Sequence, residues 1–153
     1  MGMSGGPAPP APEFGEVLRR LEGAGAIFLM APLVDRGWAP AVVRRAADLA
    51  GPSARPTAGA ALHPKQLPQM REALRWIELI PADRDALRQI VAARSLVHPG
   101  SRRHLFSWGH LAAVLDIPAA SLRARHAEAI RLIVAALAGC VGLCPDQPRA
   151  PER

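Results

Sequence analysis

Apolar residues recur at helical spacing along most of this chain, and proline or glycine interrupts the pattern at intervals. The first apolar stripe consists of Phe14, Val17, Leu18 and Leu21. Its steps of three and four residues are typical of an amphipathic helix. Gly23 and Gly25 weaken this helix, and we expect any break to fall there. The continuously apolar run 26–31 fits either a buried helix or a short strand, and Pro32 ends it.

Three further helices are predicted at about 40–50, 64–80 and 82–96. Pro40 suits the first turn of the earliest of them, and Gly51-Pro52 ends it. Its apolar face is predicted to consist of Trp38, Val42, Val43, Ala46 and Leu49. The segment 52–64, rich in Pro, Ser, Thr, Gly and Ala, is predicted to be a loop and a flexible joint. No internal repeat and no strand stands out.

The segment that follows residue 106 carries the most specific pattern in the chain. Ser107 is a good N-cap for a short helix, and Asp116-Ile117 is predicted to form a tight turn. Pro118 suits the start of a second helix, which continues over 119–136 without a breaker. The inner face of the first helix is predicted to be Leu111, Ala112 and Leu115. The buried stripe of the second is predicted to be Leu122, His126, Ala129, Ile130, Ile133 and Leu137.

Two helices joined by a turn of three or four residues form the helix-turn-helix plan, in which the second helix presents its first turns to a major groove. The residues that this plan exposes are Ala119, Ala120, Ser121, Arg123, Ala124 and Arg125. The prediction is therefore a small all-α fold of five or six helices that ends in a helix-turn-helix. It divides into a disordered tail (1–12), an N-terminal helical segment (13–63), a helix-turn-helix domain (64–139) and a C-terminal tail (140–153).

The charge distribution agrees with an anionic partner. The chain has a formal charge of +6 and a sequence pI of about 11.1, and residues 65–139 hold eleven Lys and Arg against six Asp and Glu. This surplus favours nucleic acid first and a membrane surface second. Two cysteines, Cys140 and Cys144, are too few for a disulfide framework. No secretion signal or membrane-spanning run is evident, so we expect a cytoplasmic protein without a membrane partner.

The segment resembles the C-terminal helix-turn-helix of bacterial sigma factors, their region 4. The matching positions are Ser107, Leu111, Ala112, Leu115, Ile117, Ser121, Leu122, Arg123 and Arg125. It also resembles an uncharacterised bacterial and prophage family, in which a Trp-bearing helix (here 72–76) and an Arg-rich connector (here 102–108) precede such a motif. The sequence differs from the sigma pattern at Asp116, Pro118 and His126, which stand in place of glycine, serine and an apolar residue.

The resemblance implies DNA binding, and the residue types suggest which arginines would contact bases and which would contact phosphates. Arg123 is the better candidate for a base edge, because arginine to guanine is the commonest specific contact, and Arg125 is the candidate for phosphate. Arg102 and Arg103, with His104, are candidates for a phosphate clamp beside the helix N-terminus at Ser107. The alternative for each arginine is a solvated surface.

The alanines at the front of the second helix leave few groups for base readout. We therefore expect phosphate contacts to carry much of the affinity. Trp108 is predicted to pack on its own domain, and no catalytic motif, cofactor site or metal site is predicted. The hypothesis is a non-enzymatic transcriptional regulator or phage-type accessory factor. The alternatives are an adaptor that docks on RNA polymerase or another protein, and a packaging component of a phage-like particle. Whether the protein forms a homodimer is left open by the sequence.

Overall fold

The computed structural model describes residues 11–32, 36–56 and 65–142, with side chains up to residue 139. The predicted N-terminal tail lies outside the described residues up to Pro10, as do residues 57–64 of the predicted joint. Cys144 and the rest of the predicted C-terminal tail from residue 143 also lie outside them.

The predicted all-α class is confirmed. The described residues form six α-helices and no strand. The helices are α1 (Phe14–Met30), α2 (Ala41–Ala50), α3 (Gln66–Arg75), α4 (Asp85–Ser95), α5 (Trp108–Leu115) and α6 (Ala119–Gly142). An isolated antiparallel β-bridge joins Val97 and His104, on either side of the turn between α4 and α5.

Helix α1 is continuous through both glycines, so no break falls there, and residues 26–30 of the apolar run are helical, with Ala31 as the extended C-cap. The reason lies in its packing. A Cβ atom at Gly25 would lie 1.8 Å from the carbonyl oxygen of Ser95 at the end of α4, whereas one at Gly23 would meet nothing within 4 Å. Gly25 therefore allows the two helices to approach closely, and tertiary contact outweighs its low helix propensity.

The third and fourth helices are shorter than predicted, because 3-10 turns replace the α-helix on both sides of Pro81. These turns are Trp76–Leu79 and Ala82–Arg84. Ile80 has φ −71° and ψ 132°, the extended conformation that a following proline imposes on its neighbour. Arg88 fastens the bend, since its guanidinium donates to the carbonyl oxygens of Ile80 at 2.8 Å and Glu78 at 2.9 Å.

One hydrophobic core includes side chains from both halves of the chain. Helix α1 packs on α3, α4 and α6, and α4 also packs on α2. The largest fully buried side chains are Phe28, Phe106, Leu21, Leu29, Met70, Leu74, Ile77, Ile80, Ile90, Leu96, Leu122 and Ile130. Because α6 rests on α1 and α4, its inner face is held along much of its length.

Leu49 corrects the predicted apolar face of α2. Val42, Val43 and Ala46 are buried as predicted, but the side chain of Leu49 is 66% exposed. It lies at the edge of a small cavity, about 170 Å³ in volume, that Val114 of α5 also lines. The last turn of α2 therefore borders a cavity instead of packing against a helix, a situation that periodicity alone does not reveal.

Candidate nucleic-acid interface

Helix α5 begins at Ser107 as the sequence predicts. The backbone N–H of His110 donates to Ser107 Oγ at 3.0 Å, and Ser107 has the extended backbone of an N-cap. This bond satisfies one of the otherwise unpaired N–H groups at the helix start. The hydroxyl oxygen of Ser107 thus has a structural partner within its own helix.

A three-residue turn joins α5 to α6. Asp116 has φ 57° and ψ 46°, the left-handed conformation, at the position where the sigma pattern has glycine. Asp visits this region more readily than most residues with a Cβ atom. The N–H of Ile117 donates to the oxygen of Ala112 at 3.1 Å, and the N–H of Leu122 donates to that of Pro118 at 2.9 Å. The turn is therefore fixed at both ends.

Apolar side chains hold the two helices against each other. Leu111 and Leu122 are buried, with 2% and 0% of their surface exposed, and Ala112, Leu115 and Ile117 are partly buried against the same core. The predicted stripe of α6 is buried at five of its six positions, and Leu137 is partly buried. The exposed turns of α6 are consequently held on a fixed frame.

The predicted contact residues at the front of α6 divide into two groups. Ala120, Arg123, Ala124 and Arg125 are exposed, and Ala119 and Ser121 are half-buried. At about 100° of rotation per residue, Arg123 and Arg125 lie on opposite flanks of a face whose centre holds Ala120 and Ala124. The two arginines therefore border the exposed face instead of forming one cluster.

Arg131 joins this face although the sequence analysis did not single it out. It is exposed, and it follows Ala120 and Ala124 along one line of α6 at helical spacing. Helical spacing is the sequence signal that places Arg131 on this face, two turns beyond the first turns of α6. With Arg131, the exposed side of α6 carries three arginines over about two turns.

The nearby carboxylate on α6 is paired. Glu128 Oε2 lies 2.6 Å from the guanidinium of Arg84, with about half of each side chain exposed (45% and 41%). Asp116, in the turn before α6, is exposed. Since Arg84 offsets Glu128, the exposed side of α6 keeps a positive balance, which suits an anionic partner.

Trp108 lies between two arginines and a histidine. The guanidinium carbon of Arg94 is 4.0 Å from the centroid of its ring, and that of Arg123 is 5.7 Å away. The ring of His126 meets it edge to face at 5.4 Å. Trp108 thus packs against the core, as predicted, and also supports Arg123 by a cation–π contact.

Burial sets the charge states around this ring. Desolvation lowers the pKa of His126 to about 4, and the positive charge of Arg94 contributes to this lowering, so His126 is neutral near pH 7. Desolvation also lowers the pKa of Arg94, which Glu22 raises and Arg123 lowers. Arg94 donates to the carbonyl oxygen of Phe106 at 2.9 Å, which fixes it beneath the connector to α5.

The predicted phosphate clamp is divided in the structure. Arg102 has φ 63° and is exposed, and Arg103 is exposed on a cleft whose opposite side includes Arg55. His104 is held inward, with Nδ1 2.8 Å from the oxygen of Arg94 and Nε2 3.5 Å from Glu22. Desolvation and Arg94 lower the pKa of His104, while its hydrogen bond and Glu22 raise it. Clamping of phosphate beside Ser107 stays a prediction.

Neither a metal site nor a membrane-spanning helix is found among the described residues. No group of three or more His, Cys, Asp or Glu side chains within them could hold a metal ion. No helix there combines the length and the apolar character needed to cross a membrane.

Comparison with known proteins returns no family model, no curated protein and no solved structure that matches this chain. The resemblance to sigma region 4 therefore rests on the residues quoted above.

Proposed function

We propose that this chain is a DNA-binding protein and that α5 and α6 form its helix-turn-helix. The exposed side of α6 carries the proposal: Arg123 and Arg125 flank a surface of alanines, and Arg131 continues the line of those alanines, on a helix whose opposite side is buried. Arginine binds phosphate oxygens through a planar fork of donors. Small alanines let the helix approach the duplex closely while offering no hydrogen bond to a base.

The division of this surface favours phosphate contacts over base readout. Arg123 and Arg125 lie on opposite flanks of the face, the placement needed to reach the two backbones that border a groove. Contacts to phosphate position a protein but carry no sequence information directly. We therefore propose that the protein discriminates only weakly between DNA sequences. We also propose that it acts in the cytoplasm as a transcriptional regulator or phage-type accessory factor.

Fluorescence anisotropy with a labelled random duplex tests the proposal. The Arg123→Ala, Arg125→Ala double variant should bind roughly tenfold or more weakly at low salt. Its plot of log affinity against log salt should be shallower by about 2, because each phosphate that an arginine neutralises adds about one unit to the slope. The control is the Arg19→Ala, Arg75→Ala double variant, which removes the same charge from exposed positions on α1 and α3.

The outcome separates DNA binding from general attraction to a basic protein. If both double variants weaken binding equally, or if the natural sequence does not bind at low salt, the proposal fails. Equal affinity for all duplexes would assign a packaging role, whereas preference for one site would assign regulation. A protein partner retained after nuclease treatment, with no DNA binding, would favour the adaptor on the transcription machinery.

A further inference from the structure

An open cleft of about 540 Å³ is lined entirely by residues outside α6. One wall is the 3-10 turn Gly51–Ala54 with the two residues that follow it, and the other is the connector between α4 and α5. The polar side chains that line it are Ser53, Arg55, His98, Ser101 and Arg103, and the partly buried His104 lies beside them. Its volume is within the range of small-ligand sites.

The connector forms a wall with a fixed backbone. The N–H of His98 donates to the oxygen of Arg103 at 2.8 Å, and the N–H of Arg102 donates back to that of His98 at 2.8 Å. A third bond runs from the N–H of Leu105 to the oxygen of Leu96 at 2.9 Å. These bonds hold Arg102 in its left-handed conformation and set the position of Arg103.

The ring of His98 is locked as a hydrogen-bond donor. Its Nδ1 atom receives two backbone N–H groups, from Gly100 at 3.1 Å and from Ser101 at 3.2 Å. An imidazole nitrogen that accepts hydrogen bonds carries no proton, so the proton of the neutral ring is on Nε2. His98, which lines the cleft, therefore keeps the N–H of Nε2 as its remaining donor.

The opposite wall is also constrained. Gly51 has φ 65°, which turns the chain out of α2, and the N–H of Arg55 donates to the oxygen of Pro52 at 3.1 Å. Ala54 is buried with 3% of its surface exposed and anchors the turn in the core. A site whose walls are already ordered loses little entropy when a ligand binds.

The chemistry of the lining is that of an anion site. Arg55 and Arg103 are exposed, and no carboxylate of the described residues forms an ion pair with either. The nearest acidic group in contact with the lining is Glu22, 3.5 Å from His104 Nε2. Two guanidinium groups, two hydroxyls and one imidazole N–H together suit a ligand with several acceptor oxygens and negative charge.

We propose that this cleft binds a phosphate group, held chiefly between Arg55 and Arg103 and completed by His98 Nε2. The inference goes beyond the DNA contacts of α6 and does not depend on them, because none of the lining residues belongs to α6. The phosphate has two sources: a free phosphate-bearing small molecule, or the backbone of bound DNA.

A titration of the folded chain with inorganic phosphate, followed by amide NMR at constant ionic strength with chloride, tests the proposal. We expect saturable shifts at Ser53, Arg55, Ser101 and Arg103. Either Arg55→Ala or Arg103→Ala should weaken binding about tenfold, the loss expected for a charge-assisted pair. Arg19→Ala removes one exposed charge elsewhere and should leave the titration unchanged. The spectra also show whether each variant is folded.

Shifts that never saturate, or that persist equally in Arg55→Ala and Arg103→Ala, would overturn the proposal. Because this titration contains no DNA, its failure is distinct from failure of the proposed function. A second measurement identifies the source. If Arg55→Ala weakens duplex binding and lowers the salt slope by about 1, the backbone supplies the phosphate; if saturable phosphate binding is accompanied by unchanged duplex binding, a small molecule supplies it.

Discussion

The two central glycines of α1 should respond oppositely to the same substitution. In Gly23→Ala the new methyl group meets nothing within 4 Å, whereas in Gly25→Ala it would lie 1.8 Å from the oxygen and 2.6 Å from the carbonyl carbon of Ser95. Both changes reduce the entropy of the unfolded chain in the same way. Their difference therefore measures how closely α1 approaches α4.

The expected magnitudes follow from these distances. Alanine is favoured over glycine in a helix by about 1 kcal/mol, so Gly23→Ala should stabilise the fold by about that amount. At Gly25 the obstructing atoms are backbone, and ordinary carbon contacts lie near 3.5 Å, so the helices must separate by roughly 1.5 Å. Overpacking of this kind costs about 3 kcal/mol, which leaves a net destabilisation of about 2 kcal/mol after the gain in helix propensity.

Thermal and urea unfolding followed by far-ultraviolet circular dichroism would measure both variants. For a chain of this length we expect Tm to rise by about 3 °C in Gly23→Ala and to fall by about 7 °C in Gly25→Ala. Equal stabilisation of the two variants would refute the reasoning. So would a difference below about 1 kcal/mol between them, because α1 and α4 would then not be in backbone contact.

Two further predictions concern α6 and the turn before it. In the folded protein the pKa of His126 is about 4, below its usual 6.5, so the unfolded chain binds more protons between these two pH values. The free energy of unfolding should therefore fall by up to about 3 kcal/mol as the pH drops from 6.5 to 4. Urea titrations should show this loss reduced in His126→Leu. At Asp116, with φ 57°, Asp116→Gly should stabilise the fold by about 0.5 to 1 kcal/mol and Asp116→Val should destabilise it by about 1 to 2 kcal/mol in the same assay. Equal stability of these two variants would contradict a left-handed turn.

The periodicity of apolar residues predicted the helices because each helix buries one face. It failed where tertiary contacts, and not the local pattern, determine the conformation or the burial of a residue. The apolar run 26–31 was ambiguous in the sequence and is helical up to Met30, because α1 packs along α3, α4 and α6. Leu49 continues the stripe of α2, yet no helix covers it. Pro81 bounds two segments in the sequence, but the bend before it is also held by the bonds that Arg88 makes to the carbonyl oxygens of Ile80 and Glu78, eight and ten residues earlier.

The candidate sites likewise include features that the local sequence predicts and features that depend on tertiary contacts. Local signals located the cap at Ser107, the turn at Asp116 and two exposed arginines of α6, Arg123 and Arg125, since caps, turns and helix faces depend on neighbours within a few residues. That Arg55 and Arg103 line one cleft was not foreseen, because it depends on where the end of α2 lies relative to the α4–α5 connector. The sequence around Arg55 gives no sign that the α4–α5 connector lies beside it, and the sequence of the connector gives no sign of Arg55.

The departure from the sigma pattern at His126 acquires a physical reason in the structure. An apolar residue there would fill the same space, but the histidine places its ring edge against Trp108. The guanidinium groups of Arg94 and Arg123 in turn lie 4.0 and 5.7 Å from the centroid of the Trp108 ring. A proton on His126 would add a third positive charge beside these two arginines, while Glu22, the acidic group nearby, lies against His104. The proposed DNA-binding face therefore depends on a buried ring that remains uncharged, and the stability of α6 should depend on pH more strongly than that of an apolar helix-turn-helix.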